Sequence, residues 1–213
     1  GVLRTVMART AATRTVENAL RRQGYTHVAG TDEVGRGCLA GPVVAGAVIL
    51  HPDRHIPGLS DSKLVPPAER DDLYDRITTL AVAWAVAAVG PAEIDRINIA
   101  SASLEAMRQA VLALTPSADF LLVDAFHVPG LAIPQRGIIK GDRRCSAIAA
   151  ASIVAKVTRD RLMEALHADD PRYGFHRHKG YGTREHVDAI GRHGLSDAHR
   201  RSFRLPTLFD TME

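Results

Sequence analysis

Apolar residues recur along this chain in two rhythms: short, nearly unbroken runs, and longer stretches at helical spacing that alternate with them from end to end. Thr26 to Thr31 reads as a strand that ends at Asp32-Glu33, and Val43 to Leu50 as a second apolar strand after the Gly41-Pro42 turn, with Gly35 to Gly41 as the hairpin loop between them. A Pro- and Gly-rich stretch, His51 to Pro67, leads into a charged helix over Ala68 to Leu80 and then a Val- and Ala-rich strand, Ala81 to Val89. Pro91 opens a helical region in which Ile99, Ser103, Met107, Ala110 and Leu114 share one face as far as Thr115. Phe120 to Val123 is a short apolar strand ending at Asp124, and Gln135 to Lys140 a weaker one ending before Gly141-Asp142. The longest helical pattern, dense in alanine, runs from Arg144 to His167 and stops at Asp169-Asp170-Pro171. A last helix is expected from its cap Thr183 to His193, ended by Gly194. In the first 24 residues, Val2, Val6, Val16, Ala19 and Leu20 fit a helix packed on the domain edge and closed by Gly24. Strands and helices in alternation predict an α/β domain with a mixed sheet.

At 213 residues, 46% hydrophobic and 24% charged, the chain can bury roughly 70% of its unfolded surface around one core, which excludes disordered, collagen-like and coiled-coil classes. No apolar run approaches the ~20 residues of a membrane-spanning helix, so no membrane partner is expected. Cys38 and Cys145 form no Cys-x-x-Cys pair and read as small buried hydrophobes in a reducing, cytoplasmic setting. Nothing in the chain demands more than a monomer.

Charge changes the picture once it is located. Residues 1–140 carry 14 basic and 14 acidic side chains, whereas Arg172 to Arg204 holds 8 basic against 3 acidic, with 5 of the 10 histidines. Interleaved with Tyr173, Phe175, Tyr181 and Phe203, that segment has the mixture that contacts phosphates and stacks on sugars or bases, although a basic stretch is also a common solvated face. Residues 1–24 carry five arginines against Glu17 alone, a composition shared with organelle transit peptides, and the start at Gly1 rather than Met suggests processing.

The carboxylates sharpen the chemistry. Asp32 and Glu33 end one strand, Asp124 ends another, and Asp142 follows a third and opens the long helix; in an open α/β sheet, ligands gather outside strand ends. Four acids brought together repel one another unless a divalent cation neutralises them, and hard oxygen ligands select Mg²⁺ or Mn²⁺. For each acid alone the plain alternative is a helix cap or a surface charge, Asp142 above all. Adjacent strand residues point to opposite faces, so Asp32 and Glu33 can share a site only if the strand ends or twists there. Gly35-Arg36-Gly37 follows at once, two positions without Cβ flanking a guanidinium, suited to close approach of a phosphate or ribose.

Asp32-Glu33-Val34-Gly35-Arg36-Gly37, Asp61-Ser62-Lys63, Lys140-Gly141-Asp142, Ser152 to Asp160, and Tyr173-Gly174-Phe175 followed by His178-Lys179-Gly180-Tyr181-Gly182-Thr183 resemble, in order and spacing, the motif set of bacterial ribonuclease HII. With His199-Arg200-Arg201-Ser202-Phe203 the resemblance covers residues 27–204. It implies a ribonuclease H-like fold, a central mixed β-sheet flanked by helices plus a C-terminal helical segment. The corresponding division is an N-terminal basic extension (1–24), a catalytic domain (25–168) and a basic substrate-binding segment with its tail (169–213). The implied activity is hydrolysis of RNA paired with DNA and cutting 5′ to single ribonucleotides embedded in duplex DNA, leaving 5′-phosphate and 3′-hydroxyl, as in ribonucleotide excision repair. The family's catalytic, metal-binding acids fall on Asp32, Glu33, Asp124 and Asp142, which would hold two Mg²⁺ or Mn²⁺ ions for an in-line attack on phosphorus. The turn that senses the 2′-hydroxyl falls on Gly35, Arg36 and Gly37. The tyrosine that contacts the 2′-hydroxyl and stacks on the deoxyribose at the RNA–DNA junction falls on Tyr181, and a scissile-phosphate contact on Lys63. Ser152, Lys156, Arg159, His178, Lys179 and Thr183 are implied as further substrate contacts, Ser152 and Lys156 fitting an ordinary helix face equally well. Arg143 departs from the small or polar residue that many members carry there.

Other readings carry less. His176, His178, His186 and His193 lack a second cluster at zinc spacing, and Ser62-Lys63 lacks an oxyanion-hole motif. A non-catalytic binder of hybrids would gain nothing from clustered acids facing an anionic ligand, and a two-metal enzyme acting on DNA would not need Gly35 to Gly37 or Tyr181. The tail Leu205-Pro206-Thr207-Leu208-Phe209 resembles the apolar tails that bind the bacterial sliding clamp, without the usual leading Gln; packing on its own domain is the plain alternative.

Overall fold

The structure, a computed structural model, describes residues 11–205. Five strands form one sheet: β1 (Val28–Val34), β2 (Val43–Ile49), β3 (Ala83–Val89), β4 (Phe120–Asp124) and β5 (Gln135–Ile138). Their order is β3-β2-β1-β4-β5, antiparallel on the β3 side of β1 and parallel on the β4 side, which is the mixed sheet expected. Eight α-helical segments accompany it among the described residues: α1 (Thr15–Arg22), α2 (Pro67–Leu80), α3 (Pro91–Ile97), α4 (Ile99–Leu112), α5 (Gly141–Arg144), α6 (Ser146–Asp169), α7 (Phe175–His178) and α8 (Arg184–His193).

The period-two alternation of strand side chains sorts the core into two layers. Val28, Val48, Leu50, Phe120, Leu122 and Ile138 pack with the apolar face of α6. Ala29, Val43, Ala45, Ala47, Ile49, Leu121 and Val123 pack with Ala102, Ala106, Met107 and Ala110 of α4 on the other face. The alanine density of α6 has a direct cause at Gly30 and Gly46. A Cβ on Gly30 would lie 2.3 Å from the Ala147 carbonyl carbon, and one on Gly46 would lie 2.4 Å from the Ala151 carbonyl oxygen. Helix and sheet meet there backbone to backbone, which only small residues on both sides permit.

The boundaries differ from the sequence reading where polar backbone chemistry intervenes. The helical region opened by Pro91 is two helices, because Asn98 takes φ 74° and its side chain accepts the Ser101 N–H as a new cap. The pattern read as one helix from Arg144 is α5 and α6, separated by Cys145 in an extended conformation, so Asp142 belongs to a one-turn helix and does not open the long one. Strands β3 and β5 are shorter than their apolar patterns, and the 3₁₀ turn Ser62–Leu64 and α7 carry no periodic signal. The N-terminal helix is confined to Thr15–Arg22; Val2 and Val6 lie outside the described residues. A third apolar cluster of Leu39, Ala40, Met163, Tyr173, Phe175, Ala189 and Ile190 seats the C-terminal segment against α6 and the β1–β2 loop. No helix among the described residues is long and apolar enough to cross a membrane.

Candidate active site

β1 and β4 run side by side, Thr31 registering with Val123, so Asp32 and Asp124 emerge together at the sheet's end. Both have the parity of the α6-facing residues, and α5 brings Asp142 to the same face. A carboxylate oxygen from each of Asp32, Asp124 and Asp142 lies within 4.8 Å of the others. Asp32 is buried and accepts the Glu33 N–H at 2.9 Å, and Asp124 accepts the Gly141 N–H at 3.0 Å, tying β4 to the start of α5. Burial, then the charges of Glu33, Asp124 and Asp142, hold Asp32 well above the ordinary carboxylate range. Burial and the neighbouring Asp61 and Asp124 push Asp142 up to about 6, and burial raises Asp124 as well. Hard oxygen donors at this spacing, costly to ionise together, fit a divalent cation.

Three of the four expected acids thus converge. Glu33 is outside that group of three: its carboxylate lies 3.9 Å from the Arg36 guanidinium, yet it is the first of the neighbouring charges that raise Asp32. A different acid, not among the four the resemblance implies, joins the edge of the cluster. Asp61 is buried beside Asp142 and is among the neighbours that raise its carboxyl. It also accepts the Lys63 N–H at 3.0 Å and the Arg143 Nε–H at 3.4 Å, so the unusual Arg143 anchors a buried carboxylate at the edge of the cluster. The Asp-x-Lys spacing of an Asx turn was the available signal. Lys63 is exposed nearby, its charge felt by Asp124.

Beside the acids lies the Gly35 to Gly37 turn. Gly35 has φ +86°, and a Cβ there would fall 2.2 Å from Arg159 Nε, so no other residue fits. Two buried guanidiniums stand behind the turn. Arg200 donates to the carbonyls of Gly35 (2.7 Å), Arg36 (2.8 Å) and Gly41 (3.0 Å). Arg159 donates to those of Pro42 (2.9 Å), Ala40 (2.9 Å) and Lys179 (2.7 Å). The carbonyls are drawn inward by both, and the turn is joined to the Tyr181 loop by Arg159 and by the Leu39 N–H donating to Gly180 at 2.8 Å. Arg36 is left partly exposed over the Phe126 ring, and the Tyr181 ring is 40% exposed, with Lys156 Nζ and the Arg159 guanidinium each 5.9 Å from its centroid.

Several expected substrate contacts are corrected by this packing. Arg159 is buried with its guanidinium committed to carbonyls, and buried Ser152 Oγ is bonded to Ser62 Oγ at 2.8 Å, which also removes Ser62 as a nucleophile. Both ring nitrogens of buried His178 are occupied by backbone, whereas Thr183, which caps α8 by accepting the His186 N–H, is exposed and its own O–H can still donate. Lys156 and Lys179 do reach solvent-facing space, paired with Asp160 and Glu164, in a groove of about 510 Å³ that Arg70, Arg161 and Tyr181 also line. The histidines considered for zinc sit among one another and aromatic rings, and are not in the group of side chains placed to hold an ion.

A family model described as ribonuclease HII matches residues 29–205. The chain belongs to the ribonuclease HII family. Curated ribonucleases HII agree: the protein from Geobacillus thermodenitrificans is 56% identical and that from Bacillus cereus strain Q1 52% identical, each over 187 residues covering 88% of this chain and 72% of the relative. Membership makes the chain a ribonuclease H, an endonucleolytic hydrolase. Among solved structures, ribonuclease H2 from Pyrococcus horikoshii superposes with a TM-score of 0.70 at 26% identity, covering 84% of this chain and 95% of that one. The Archaeoglobus fulgidus PCNA:RNase HII complex gives 0.69 at 25% identity, covering 87% and 100%. Bst-RNase HIII in complex with Mn²⁺ shares the fold, with a TM-score of 0.63 at 18% identity over 87% of this chain and 69% of that one.

Proposed function

We propose that this ribonuclease H cuts the RNA strand of RNA–DNA hybrids and the 5′ side of single ribonucleotides in duplex DNA, leaving 5′-phosphate and 3′-hydroxyl. The observation that supports it best is the physical joining of two devices: three carboxylates within reach of one cation, and a glycine turn tied through Arg159 to an exposed tyrosine. Asp32, Asp124 and Asp142 would hold the divalent metal, with Glu33 adding charge at the same strand end and Asp61 supporting Asp142. Bound there as two ions, Mg²⁺ or Mn²⁺ would supply an activated water and charge stabilisation for the leaving 3′-oxygen. The Mn²⁺ complex of the HIII neighbour agrees with that choice of ligand class.

The chain's own residues do the rest. With the Gly35 and Arg36 carbonyls drawn inward by Arg200, the Gly35 to Gly37 turn leaves Arg36 and the open side of Gly37 to a sugar and phosphate. Tyr181 supplies a flat apolar surface for a sugar, and the 2′-hydroxyl is the group by which a protein distinguishes a ribonucleotide. Lys63 and the Lys156–Lys179 groove offer cations to the backbone on either side. The test is cleavage of a labelled duplex holding one ribonucleotide, beside an all-DNA duplex and a hybrid, with Mg²⁺, Mn²⁺ or chelator. A metal-dependent cut 5′ to the ribonucleotide, absent from the all-DNA duplex, is expected. Binding without cutting under either metal would overturn the catalytic assignment.

The clamp-binding tail, Leu205 to Phe209, lies almost wholly outside the described residues. The PCNA complex of the archaeal relative supports keeping it as a partner motif here. Deleting residues 205–213 should abolish retention on the sliding clamp, and unchanged retention would remove the proposal.

A further inference from the structure

The loop that carries Tyr181 is held by three buried histidines whose proton positions are dictated by backbone partners. The Gly180 N–H lies 3.1 Å from His178 Nδ1, and His178 Nε2 lies 2.7 Å from the Tyr173 carbonyl. An N–H can only donate and a carbonyl only accept, so His178 carries its proton on Nε2. At His199 the Ser196 N–H donates to Nδ1 at 3.0 Å, which places that ring's proton on Nε2 as well. His199 Nε2 is 2.9 Å from His186 Nε2, which must therefore accept, and the remaining His186 proton sits on Nδ1, 2.9 Å from the Tyr181 carbonyl. The result is one directed chain: Ser196 N–H to His199, His199 to His186, His186 to the Tyr181 carbonyl.

The two rings nearest the loop, His178 and His186, stack with centroids 4.2 Å apart and planes 9° apart, against Phe175 and Tyr173. Together they grip both sides of one peptide stretch, His178 through the Gly180 N–H and His186 through the Tyr181 carbonyl. Packing alone needs no such polarity, since a leucine or phenylalanine would fill the same space without fixing a carbonyl. We propose that His186 and His199 are positioning residues for sugar selection, acting through the Tyr181 carbonyl to fix where the exposed Tyr181 ring meets the substrate. The proposal rests on Tyr181 being the sugar-reading residue, and nothing in it requires either imidazole to touch nucleic acid.

Ring ¹⁵N spectra of the full-length chain at neutral pH test the relay without any substrate: His186 is expected as the Nδ1–H tautomer, and His178 and His199 as Nε2–H. An Nε2–H tautomer at His186 would overturn the proposal, whatever any variant does. The functional arm compares kcat/KM on a duplex with one ribonucleotide against a long hybrid. In His199→Leu and His186→Leu that ratio should fall about five- to tenfold, the lower part of what one stacked contact is worth. His199→Gln, which restores a donor near the former Nε2–H, should recover most of it. Folded leucine variants with an unchanged ratio, beside a Tyr181→Ala control whose ratio drops, would refute the relay alone. An unchanged ratio in Tyr181→Ala would instead refute the sugar-reading role beneath it.

Discussion

Asp124 shows how much one side chain is asked to do at this strand end. Its carboxylate holds the Gly141 N–H and lies within 4.8 Å of oxygens from Asp32 and Asp142, so it pins the start of α5 while standing where a cation would be held. Asp124→Asn keeps an oxygen for Gly141 but removes a negative charge from a site that repels itself. We expect turnover to drop by at least about a thousandfold, the several kcal/mol a metal clamp contributes, with thermal stability of the metal-free protein equal or higher. Steady-state cleavage and calorimetry would check both halves; near-normal turnover would refute the site. Tyr181 works at another magnitude. Its exposed ring should contribute on the order of 1–3 kcal/mol through stacking, so Tyr181→Ala should reduce preference for an embedded ribonucleotide about tenfold or more and leave the metal site intact, as competition between the two substrates would show.

Among the elements, α6 decides most. It crosses β1 and β2 over Gly30 and Gly46, and its first residues follow directly on the turn that carries Asp142. In Gly30→Ala the new methyl meets the Ala147 backbone, which cannot rotate away. The helix must lift, at a cost of about 1–3 kcal/mol or more, and Asp142 shifts against Asp32. A lower midpoint in denaturant together with weaker metal binding is expected; loss of stability with metal affinity unchanged would mean that α5 moves independently of α6. The C-terminal elements add a pH dependence. Burial, above all, pushes His178, His186 and His199 below 6.5, His186 to about 4. Between those values the unfolded chain binds protons that the fold refuses, so their stabilisation is complete above about pH 6.5 and is lost as pH falls toward 4. The carboxylate cluster, with its raised values, acts in the opposite sense in the metal-free protein. The histidine contribution is therefore read as a difference: the stability gap between the native chain and His186→Leu should shrink on acidification from pH 7 to pH 5.

For the whole molecule, the site is an assembly of segments distant in sequence. The turn after β1, the Asp61 turn, the β4 and α5 ends, α6 and the loop after α7 meet at one end of the sheet, stitched by Arg159 and Arg200. A cation that relieves the repulsion of Asp32, Asp124 and Asp142 binds the folded state alone. At a hundredfold excess over its dissociation constant it should add about 2.7 kcal/mol of stability. A rise in melting temperature with Mg²⁺ or Mn²⁺, reversed by chelator and absent in Asp124→Asn, is the expected result; an equal rise in that variant would place the cation elsewhere.

What the sequence by itself determined is the order of elements and the mixed α/β class, because period-two and period-3.6 burial and turn chemistry are local; it ended the first strand at Asp32-Glu33, whereas β1 stays paired with β2 through both acids to Val34. Five ordered motifs were enough to identify the family resemblance before any coordinate. Only the tertiary structure decided which polar groups are left to solvent and which are committed inside the fold. Arg159, Ser152 and His178 sit inside motifs that read as nucleic-acid contacts, yet they are committed to carbonyls, a hydroxyl and an amide, some only a few residues away and others twenty or more. Glu33, adjacent to Asp32, lies outside the three-acid group and close to Arg36, while Asp61, more than sixty residues from Asp124, is brought beside the cluster. A linear chain fixes neither the face a side chain takes at a strand's end nor its hydrogen-bond partner, since both depend on groups that meet only when α6 closes on the sheet.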